Sequence, residues 1–575
     1  MTGRICLGTW SCVLLVLTGL APAGPVSFSG SARVSGEYGW VNGDSLVEPR
    51  PELRLSVNPT LSLWSVPVGM NILVSTDENN LRQQLNRFRL FLSPKEWLES
   101  QAGLSGLALS IRNIELGSCS PSWTPHTLAG APVLGGTFEL NPWFLYLAGA
   151  AGRTRRAVAV SDSTDGAYAQ MLYSARFGFG RKERTHFYLT GLYITDDSAS
   201  LHGNTLPMPG DTTVPPDSFE AVRPQENYIL GAEFKLHLLE GALTLESELT
   251  GSELTRDTRL PLESWDWLPD WVEKTFRPRM SSSIDYAVKV RPALTVFDTK
   301  LTGRFEYVGP GYVSLGAPGL RNDNQAIGAG MERDFLDRAI SVSIGCSAER
   351  DNLLSAAVRD TAGRPAGMLS LKSRTTRFTS WEANLGLQFP DLPYLQAGYS
   401  PYAQASDSLD SLAQAASTNS ASGNVISVSA GHGFASGRLS HSPSVSFGYN
   451  DLRGDDPAGD YASWSASLNH GVAFEFPLSL SAGVGWARTD VADETPDTRV
   501  CLDFSPSYTL FEKWHNSLFL GATLGSGTRI DARLSSSFPL GRICDARLGL
   551  ADAVYRGADG RYNDLRLTAE LSRGW

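Results

Sequence analysis

The tetrapeptide Gly-Asp-Ser-Leu at 43–46 is the stretch of this sequence that comes nearest to a catalytic motif, because it could present a serine nucleophile on a tight turn. Such a serine needs a base within hydrogen-bond reach, which a histidine three residues after an aspartate could supply. None of the eight histidines follows an aspartate at that spacing; the nearest patterns pair Glu183 with His186 and Glu512 with His515. The sequence therefore predicts a polar turn at 43–46, and no enzyme.

Metal binding is the second chemistry to consider, because imidazole and carboxylate groups are its usual ligands. No two histidines share the short spacing of a ligand pair, although His432 and His441 flank an apparent turn and could face each other across a hairpin. Two acidic groups, within 451–460 and 488–498, lack the glycine and the ligand ladder of an EF-hand calcium loop. The sequence predicts solvated side chains at these positions and neither a metal nor another cofactor.

The N-terminus predicts export. Residues 12–20 are almost wholly apolar, and Ala21-Pro22-Ala23 follows them in the pattern that signal peptidase cleaves. We expect residues 1–23 to be removed and 24–575 to form one domain. The apolar run is about half the ~20 residues that a membrane-spanning helix needs, and no later stretch is long enough. The net charge of −11 argues against a nucleic-acid partner.

The cysteines offer no metal motif. Two of the six lie in the predicted signal, and the others are too far apart for a zinc site. In an oxidising compartment four thiols could pair in three ways, and the sequence does not choose among them. The four cysteines concerned are Cys119, Cys346, Cys501 and Cys544.

Alternation of polar and apolar residues runs through most of the remaining chain. From Val26 to Trp40 the even positions are apolar or glycine, whereas most odd positions are polar. Successive side chains of a strand face opposite sides, so this pattern predicts a long strand with one apolar and one wet face. In lipid a sheet must close so that every backbone group is paired, and the wet face then lines the lumen. A soluble β-sandwich or propeller is the alternative, but it would favour shorter strands.

The polar positions of these strands are the candidate lumen-facing residues. They are Arg33, Glu37, Glu233, Lys235, Arg304, Glu306, Glu382, Asn384, Arg566 and Glu570. Aromatic residues near strand ends suit the headgroup girdles of a membrane barrel. They are Trp40, Tyr307, Trp381, Trp486 and Trp575.

The last strand alternates from Leu565 to Trp575 and ends on an aromatic residue. This resembles the C-terminal signature of bacterial outer-membrane barrels, which implies recognition of the strand by the barrel assembly machinery. We therefore expect an all-β, transmembrane antiparallel barrel in the bacterial outer membrane, with outer-membrane lipid as a partner. At ~22–28 residues for each strand and its connection, the chain predicts about 22 strands, within a range of about 20 to 26.

The segment 80–160 is more irregular and contains two motifs, near 82–88 and 122–142. The matched residues are Arg82, Gln83, Asn86, Arg87, Phe88, Ser122, Thr124, Pro125, Thr127, Leu128, Ala129, Gly130, Leu134, Gly135, Gly136, Glu139, Leu140, Asn141 and Pro142. They resemble an uncharacterised outer-membrane β-barrel family of Bacteroidota and Chlorobi bacteria, from which this chain departs at Trp123 and His126. The family implies a barrel and brings no established activity. Gly135-Gly136 allows a tight bend, so we expect an inward constriction or plug-like segment here.

Connections of unequal length complete the prediction. The long ones are expected at 195–226, 251–281, 308–324, 350–375 and 404–423. The loop 251–281 carries Trp265, Trp267 and Trp271; it could contact a ligand or the membrane, but packing on itself or in the pore is favoured. The favoured function is a porin-like pore through which small solutes pass passively. The alternative is a non-conducting binding or structural outer-membrane protein whose long loops contact ligands or partners.

Overall fold

The structure is a computed structural model. It describes residues 26–42, 51–63, 66–76, 86–92, 110–159, 166–201, 222–265, 273–274, 276–351, 353, 374–389, 392–410, 415–455, 459–492, 494–541, 543–557 and 560–575. The predicted signal peptide at 1–23 and the turn at 43–46 lie outside these residues, as do Trp267 and Trp271.

The described chain forms one closed antiparallel β-barrel. Each strand pairs with the next along the chain, except that β18 pairs with β20 beside the short β19, and the first strand pairs with the last. The strands are β1 (Val26–Asn42), β2 (Pro51–Leu63), β3 (Val66–Ser75), β4 (Arg87–Leu92), β5 (Ile111–Cys119), β6 (Val133–Leu140), β7 (Leu145–Arg155), β8 (Ala169–Gly180), β9 (His186–Asp197), β10 (Glu226–Leu238), β11 (Leu243–Thr255), β12 (Ser282–Val296), β13 (Thr299–Val308), β14 (Asn324–Phe335), β15 (Ile340–Asp351), β16 (Arg374–Leu387), β17 (Tyr394–Asp410), β18 (Ala415–Gly431), β19 (Phe434–Ser436), β20 (Leu439–Gly454), β21 (Tyr461–Phe474), β22 (Leu478–Val491), β23 (Asp497–Leu510), β24 (Trp514–Leu524), β25 (Thr528–Leu540), β26 (Cys544–Gly557) and β27 (Gly560–Gly574).

The barrel wall has 26 strands, because β18 and the short β19 both pair with β20 and together fill one position. The all-β barrel class predicted from the sequence is confirmed, whereas the count of about 22 was too low. Several connections are much shorter than we expected; Phe297-Asp298 alone joins β12 to β13, for example. Short connections leave more of the chain for strands.

Long and short connections lie at opposite ends of the barrel. We call the end at which β1 begins the near side and the other end the far side. Apart from 93–110, the near-side connections are short, while those on the far side include 198–225, 256–281 and 309–323. This asymmetry is typical of outer-membrane barrels, whose short turns face the periplasm.

Two of the predicted irregular regions are strands instead. The segment 404–423 was expected to be a loop, but its serine and alanine residues extend β17 and β18, which pair up to Asp410 and Ala415. The segment 80–160 was expected to be irregular, yet it supplies β4 to β7 to the wall. Its connection 120–132 leaves the wall and enters the lumen.

The outward face of the wall is apolar. On β22 the side chains of Leu478, Leu480, Ala482, Val484 and Trp486 share one face, and Val484 on this face is 51% exposed. Exposed large apolar residues occur on the same face around the ring. Such a surface is stable in lipid, so the barrel is of the outer-membrane type. No helix among the described residues is long and apolar enough to cross a membrane.

The seam of the barrel lies between β1 and β27. The backbone N–H of Gly30 donates to the carbonyl of Trp575, and the N–H of Trp575 donates back to Gly30, both at 3.1 Å. The indole of Trp575 also stacks on Phe28, with ring centroids 5.9 Å apart. These contacts pair the ends of the sheet and leave no open edge.

Candidate functional site

The strand register shows which side chains point into the lumen. Glu233 pairs with Tyr188 on one side and with Glu248 on the other, and this register continues strand by strand around the ring. Paired residues share a face, and the face opposite the exposed apolar side chains is the lumen. The ten polar residues predicted from the sequence all fall on this inner face. Their part in passage of solutes stays a prediction.

Two connections from the far side fold into the lumen. The first inward segment (120–132) packs Leu128, which is fully buried, against Leu192 and Ile229 of the inner wall. Burial of these side chains provides the main stabilisation of the docked segment. The constriction suggested for 80–160 thus corresponds to this segment, with Gly135 and Gly136 in the adjoining strand rather than in the bend.

The second inward segment (309–323) holds the first in place. The hydroxyl of Tyr312 donates to the carbonyl of His126 at 2.7 Å, and the hydroxyl of Ser314 donates to the carbonyl of Thr127 at 2.6 Å. The wall contributes Asn227, whose amide donates to the carbonyl of Val313 at 3.2 Å. We call the two inward segments together the plug. Hydrogen bonds between buried polar groups of the two segments and of the wall fix one arrangement of the plug.

His126 is the fully buried centre of this plug. Its Nδ1 lies 3.3 Å from a carboxylate oxygen of Glu248, and its Nε2 lies 3.4 Å from one of Glu306. Burial lowers the pKa of His126, but the two carboxylates outweigh this and raise it to about 9. The imidazole is therefore a cation at neutral pH, and it compensates two acidic groups of the wall. Arg304 lies 3.1 Å from Glu306 and adds to the network.

A second charged cluster lies deeper, toward the near side. The guanidinium of Arg176 bonds to Glu233, and Nε2 of His186 lies 3.0 Å from the same carboxylate. The guanidinium also lies over the ring of Tyr188, 4.7 Å from its centroid, and Tyr188 stacks on Tyr146 at 4.1 Å. Only 1% of the Arg176 side chain is exposed, so this pair is shielded from water and from screening by salt.

Other predicted residues form ion pairs or hydrogen bonds on the same face. Lys235 lies 3.9 Å from Glu246, which also pairs with Lys289 at 2.9 Å. Arg33 and Glu570 lie 3.2 Å apart across the seam. The charged wall is thus largely self-neutralised, which limits the free charge that a solute would meet.

Further predicted residues lie elsewhere on this face. Arg566 pairs with Asp564 at 2.9 Å, and the amide of Asn384 donates to the hydroxyl of Ser343 at 3.2 Å. Glu37 and Glu382 are inner-face residues by register, paired with Glu52 and Gly345. The structure therefore distributes the ten residues around the ring, and Glu233, Arg304 and Glu306 are the ones that join the two charged clusters.

The inner face of β17, β18, β20, β21 and β22 carries no charged residue among its described side chains. We call this face the uncharged sector. It is lined by Gln396, Gly398, Ser400, Tyr402, Gln404, Gly423, Val425, Ser427, Ser429, Ser442, Ser444, Ser446, Gly448, Asn450, Ser463, Ser465, Ser467, Asn469, Gly471, Ser479, Ser481, Gly483, Gly485, Ala487 and Thr489.

Small hydroxyl groups dominate this sector. Ser446 and Ser467 face each other across β20 and β21 with their oxygens 2.8 Å apart, and Ser442, Ser465 and Asn469 are exposed to the lumen. The contacts described for the two inward segments are with the other side of the wall, around β7 to β13. The sector is therefore a polar, uncharged and solvated part of the lumen.

The other candidate sites do not gather into a reactive group. His441 is opposite Phe434 and not His432 across the hairpin, and its Nδ1 lies 3.3 Å from Nε2 of His470. No cluster of three metal-ligating side chains occurs within the described ranges. Cys119, Cys346, Cys501 and Cys544 are free thiols.

Sequence reasoning missed the residues that organise the plug. Glu248 lies at an alternating position that could have been read as inward-facing. There was less indication of a role for His126 in the sequence, because this residue stood out only as a departure from a family motif. Nothing in the local sequence shows that its imidazole meets two carboxylates from distant strands.

Comparison with known proteins finds solved structures that resemble this chain with low TM-scores. No protein-family model matches the chain, and no curated protein matches it. The resemblance to a Bacteroidota and Chlorobi family is therefore unsupported, while barrels of the outer-membrane porin type are found among solved structures.

Three such structures illustrate the likeness. OccAB4 of Acinetobacter baumannii is 10% identical, with a TM-score of 0.29 over 75% of this chain and 97% of its own. OpdK of Pseudomonas aeruginosa, solved with vanillate, is 10% identical, with a TM-score of 0.29 over 61% and 93%. The outer-membrane channel DcaP of A. baumannii is 14% identical, with a TM-score of 0.26 over 51% and 87%. At these scores the fold assignment rests on the geometry of this chain itself.

Proposed function

We propose that this protein is an outer-membrane channel that lets small solutes cross passively. The observation that carries the proposal is the uncharged sector, a solvated strip of hydroxyl and amide groups along one side of a closed barrel. Hydroxyl groups exchange hydrogen bonds between water and solute at little net cost. A lumen surface of this kind permits passage without holding a solute tightly, which a passive pore requires.

The two inward segments give the channel its size limit. A barrel of 26 strands encloses a lumen wide enough to need a plug or infolded loops. The segments 120–132 and 309–323 fill the side near β7 to β13 and leave the uncharged sector as the passage. Charged groups opposite this passage are paired, so we expect weak selection between anions and cations.

We also propose that the barrel assembly machinery recognises β27 and its terminal Trp575. Support comes from the position of this strand at the seam, where its backbone must find β1. The test is the fraction of folded protein after assembly, because replacement of Trp575 by alanine should reduce it.

Conductance of the purified protein in a planar bilayer tests the channel proposal. Stable, stepwise currents in symmetric salt are expected, with a linear voltage dependence at low voltage. Heat-modifiable migration on a denaturing gel shows beforehand that the barrel is folded. Folded protein that conducts no current would contradict the proposal and would favour the non-conducting binding or structural protein whose long far-side loops contact ligands.

A further inference from the structure

The near-side connections carry exposed apolar side chains, although short turns in water are usually polar. Phe297 is 86% exposed, Phe511 85% and Trp143 81%. The near-side connections with described residues have at least one such side chain, except for residue 110 and the connections 181–185, 432–433 and 437–438. These side chains, which we call the apolar tips, are Trp143, Phe144, Leu239, Phe297, Leu336, Leu392, Phe476, Phe511 and Ile543.

Five of the apolar tips share a backbone conformation that does not suit them. Trp143, Leu239, Phe297, Leu336 and Phe511 have φ of 54°, 53°, 49°, 51° and 51°, in the left-handed region that favours glycine and asparagine. Each of the last four is followed by an acidic residue that also has positive φ, namely Glu240, Asp298, Asp337 and Glu512. Since a glycine or asparagine would make these turns with less strain, the bulky apolar side chain must be useful for another reason.

The apolar tips continue the lipid-facing surface. The residue before each of these four is the last outward side chain of its strand, and all four are exposed: Leu238, Val296, Phe335 and Leu510. The tips are also spread around the ring, between β6 and β26, and do not form one patch. A protein partner would need a contiguous patch, whereas lipid surrounds the barrel on all sides.

On β22 and β26 the apolar surface of the wall is short and displaced toward the near side, whereas on β12 it runs from Ile284 to Val296. On β22 it runs from Leu478, the first residue of the strand, to Trp486, and Arg488 and Asp490 follow on the same face. On β26 it likewise gives way to Asp552 before the far end. Nine residues of a tilted strand cover about 20 Å, less than the ~25 Å apolar band of such barrels. An apolar side chain beyond the near end of the strands makes up part of the difference.

We propose that the apolar tips are immersed in the near-side leaflet, where they contact phospholipid acyl chains and set the depth of the barrel in the membrane. The acidic residue after each tip then lies at the level of the headgroups and water. The far ends of the strands, with their outward charged residues, stand above the bilayer. This inference rests on the membrane location and not on the proposed channel function.

Two fourfold variants test the proposal. The tip variant carries Leu239→Asn, Phe297→Asn, Leu336→Asn and Phe511→Asn, and the matched control carries Glu240→Asn, Asp298→Asn, Asp337→Asn and Glu512→Asn. Asparagine tolerates positive φ, so both variants should keep the turns. Stability is measured by urea unfolding from phosphatidylcholine bilayers with 12-carbon or 18-carbon chains and from detergent micelles.

The tip variant should lose stability in the bilayer with 18-carbon chains. If ~40 Å² of apolar surface leaves lipid at each tip, the ratio of folded to unfolded protein should fall about fivefold for each tip. The loss should be smaller in the thinner bilayer, because a shorter apolar band suffices there. The control should change little. A tip variant that is as stable as the control in both bilayers would overturn the proposal and leave a protein as the partner of the tips.

A variant with Phe297→Leu and Phe511→Leu separates loss of lipid contact from misfolding. It keeps apolar side chains at both turns and should behave like the unchanged protein in bilayers; a loss as large as that of the tip variant would contradict the proposal. Neither change touches the lumen, so conductance should persist. Failure of the channel proposal and failure of this one are therefore seen in different measurements.

Discussion

The imidazole of His126 lies between the carboxylates of Glu248 and Glu306, 3.3 Å from one and 3.4 Å from the other. These acids belong to β11 and β13, which are separated by β12. One side chain of the first inward segment thus connects two wall strands that do not pair with each other. The docked position of the plug depends on this buried charge arrangement as well as on the apolar packing of Leu128.

Removal of the His126 cation should loosen the plug. In His126→Gln the buried carboxylate of Glu248 loses its charged partner, whereas Glu306 keeps Arg304. Removal of one partner of a buried ion pair costs about 3–5 kcal/mol. We expect larger single-channel conductance and faster proteolysis within 120–132. His515→Gln, at an exposed histidine, is the control and should leave both unchanged. Unaltered conductance and proteolysis in His126→Gln would show that apolar packing alone holds the segment.

The same contact makes docking of the plug dependent on pH. The pKa of His126 is raised from 6.5 to about 9. A raised pKa stabilises the docked state fully below the unperturbed value, and this stabilisation is lost as pH rises through the folded value. Conductance should therefore increase between pH 7 and 10.

The neighbouring phenol of Tyr312 does not produce this change, because burial raises its pKa above the ordinary value and keeps the group neutral. The change in conductance should be absent in His126→Gln. If the conductance of His126→Gln kept its full pH dependence, another group would be responsible for that dependence.

Charge introduced into the uncharged sector should change ion selectivity. Ser446 and Ser467 lie side by side on the lumen face, so Ser446→Asp with Ser467→Asp places two carboxylates beside the passage. We expect the ratio of cation to anion permeability to rise on the order of threefold, measured as the reversal potential in a salt gradient. The double asparagine variant controls for size. An unchanged reversal potential would mean that ions do not pass along this sector.

Two arginine–glutamate pairs of the lumen should differ greatly in their contribution to stability. Arg176 is shielded, with 1% of its side chain exposed, whereas 58% of the Arg33 side chain is exposed beside Glu570. Arg176→Met should lower the free energy of unfolding by about 3 kcal/mol, and Arg33→Met by at most about 1 kcal/mol. Loss of heat-modifiable migration on a temperature series measures both. Equal effects would show that water reaches the Arg176 cluster.

The wall of the barrel was predictable from sequence, because alternation fixes which residues share a face. Arg33, Glu233 and Arg566 could be placed on one inner face from period two alone. The strand number was less accessible, since turns as short as Phe297-Asp298 leave little trace in composition. Serine-rich stretches such as 404–423 look like loops, yet serine also lines the lumen of a wide barrel.

The plug and the apolar tips were not predictable in the same way. Contacts between His126 and the two acids join residues distant in sequence, and no local pattern encodes them. The tips were visible as Leu-Glu, Phe-Asp, Leu-Asp and Phe-Glu pairs, but their exposure follows only from knowing where each strand ends. Tertiary geometry decides both features.

The seam at Gly30 and Trp575 has a consequence for how the ring can be made. Every other pairing of neighbouring wall strands in the described chain joins consecutive strands or, for β18 and β20, strands separated only by the short β19, so it can form locally. The β1–β27 contact is the exception and carries the largest loop-closure entropy. Closure is therefore expected to be the slow, last event of folding. A circular permutant with linked ends and a break in a far-side loop would make that contact local and move the slow step to the new break.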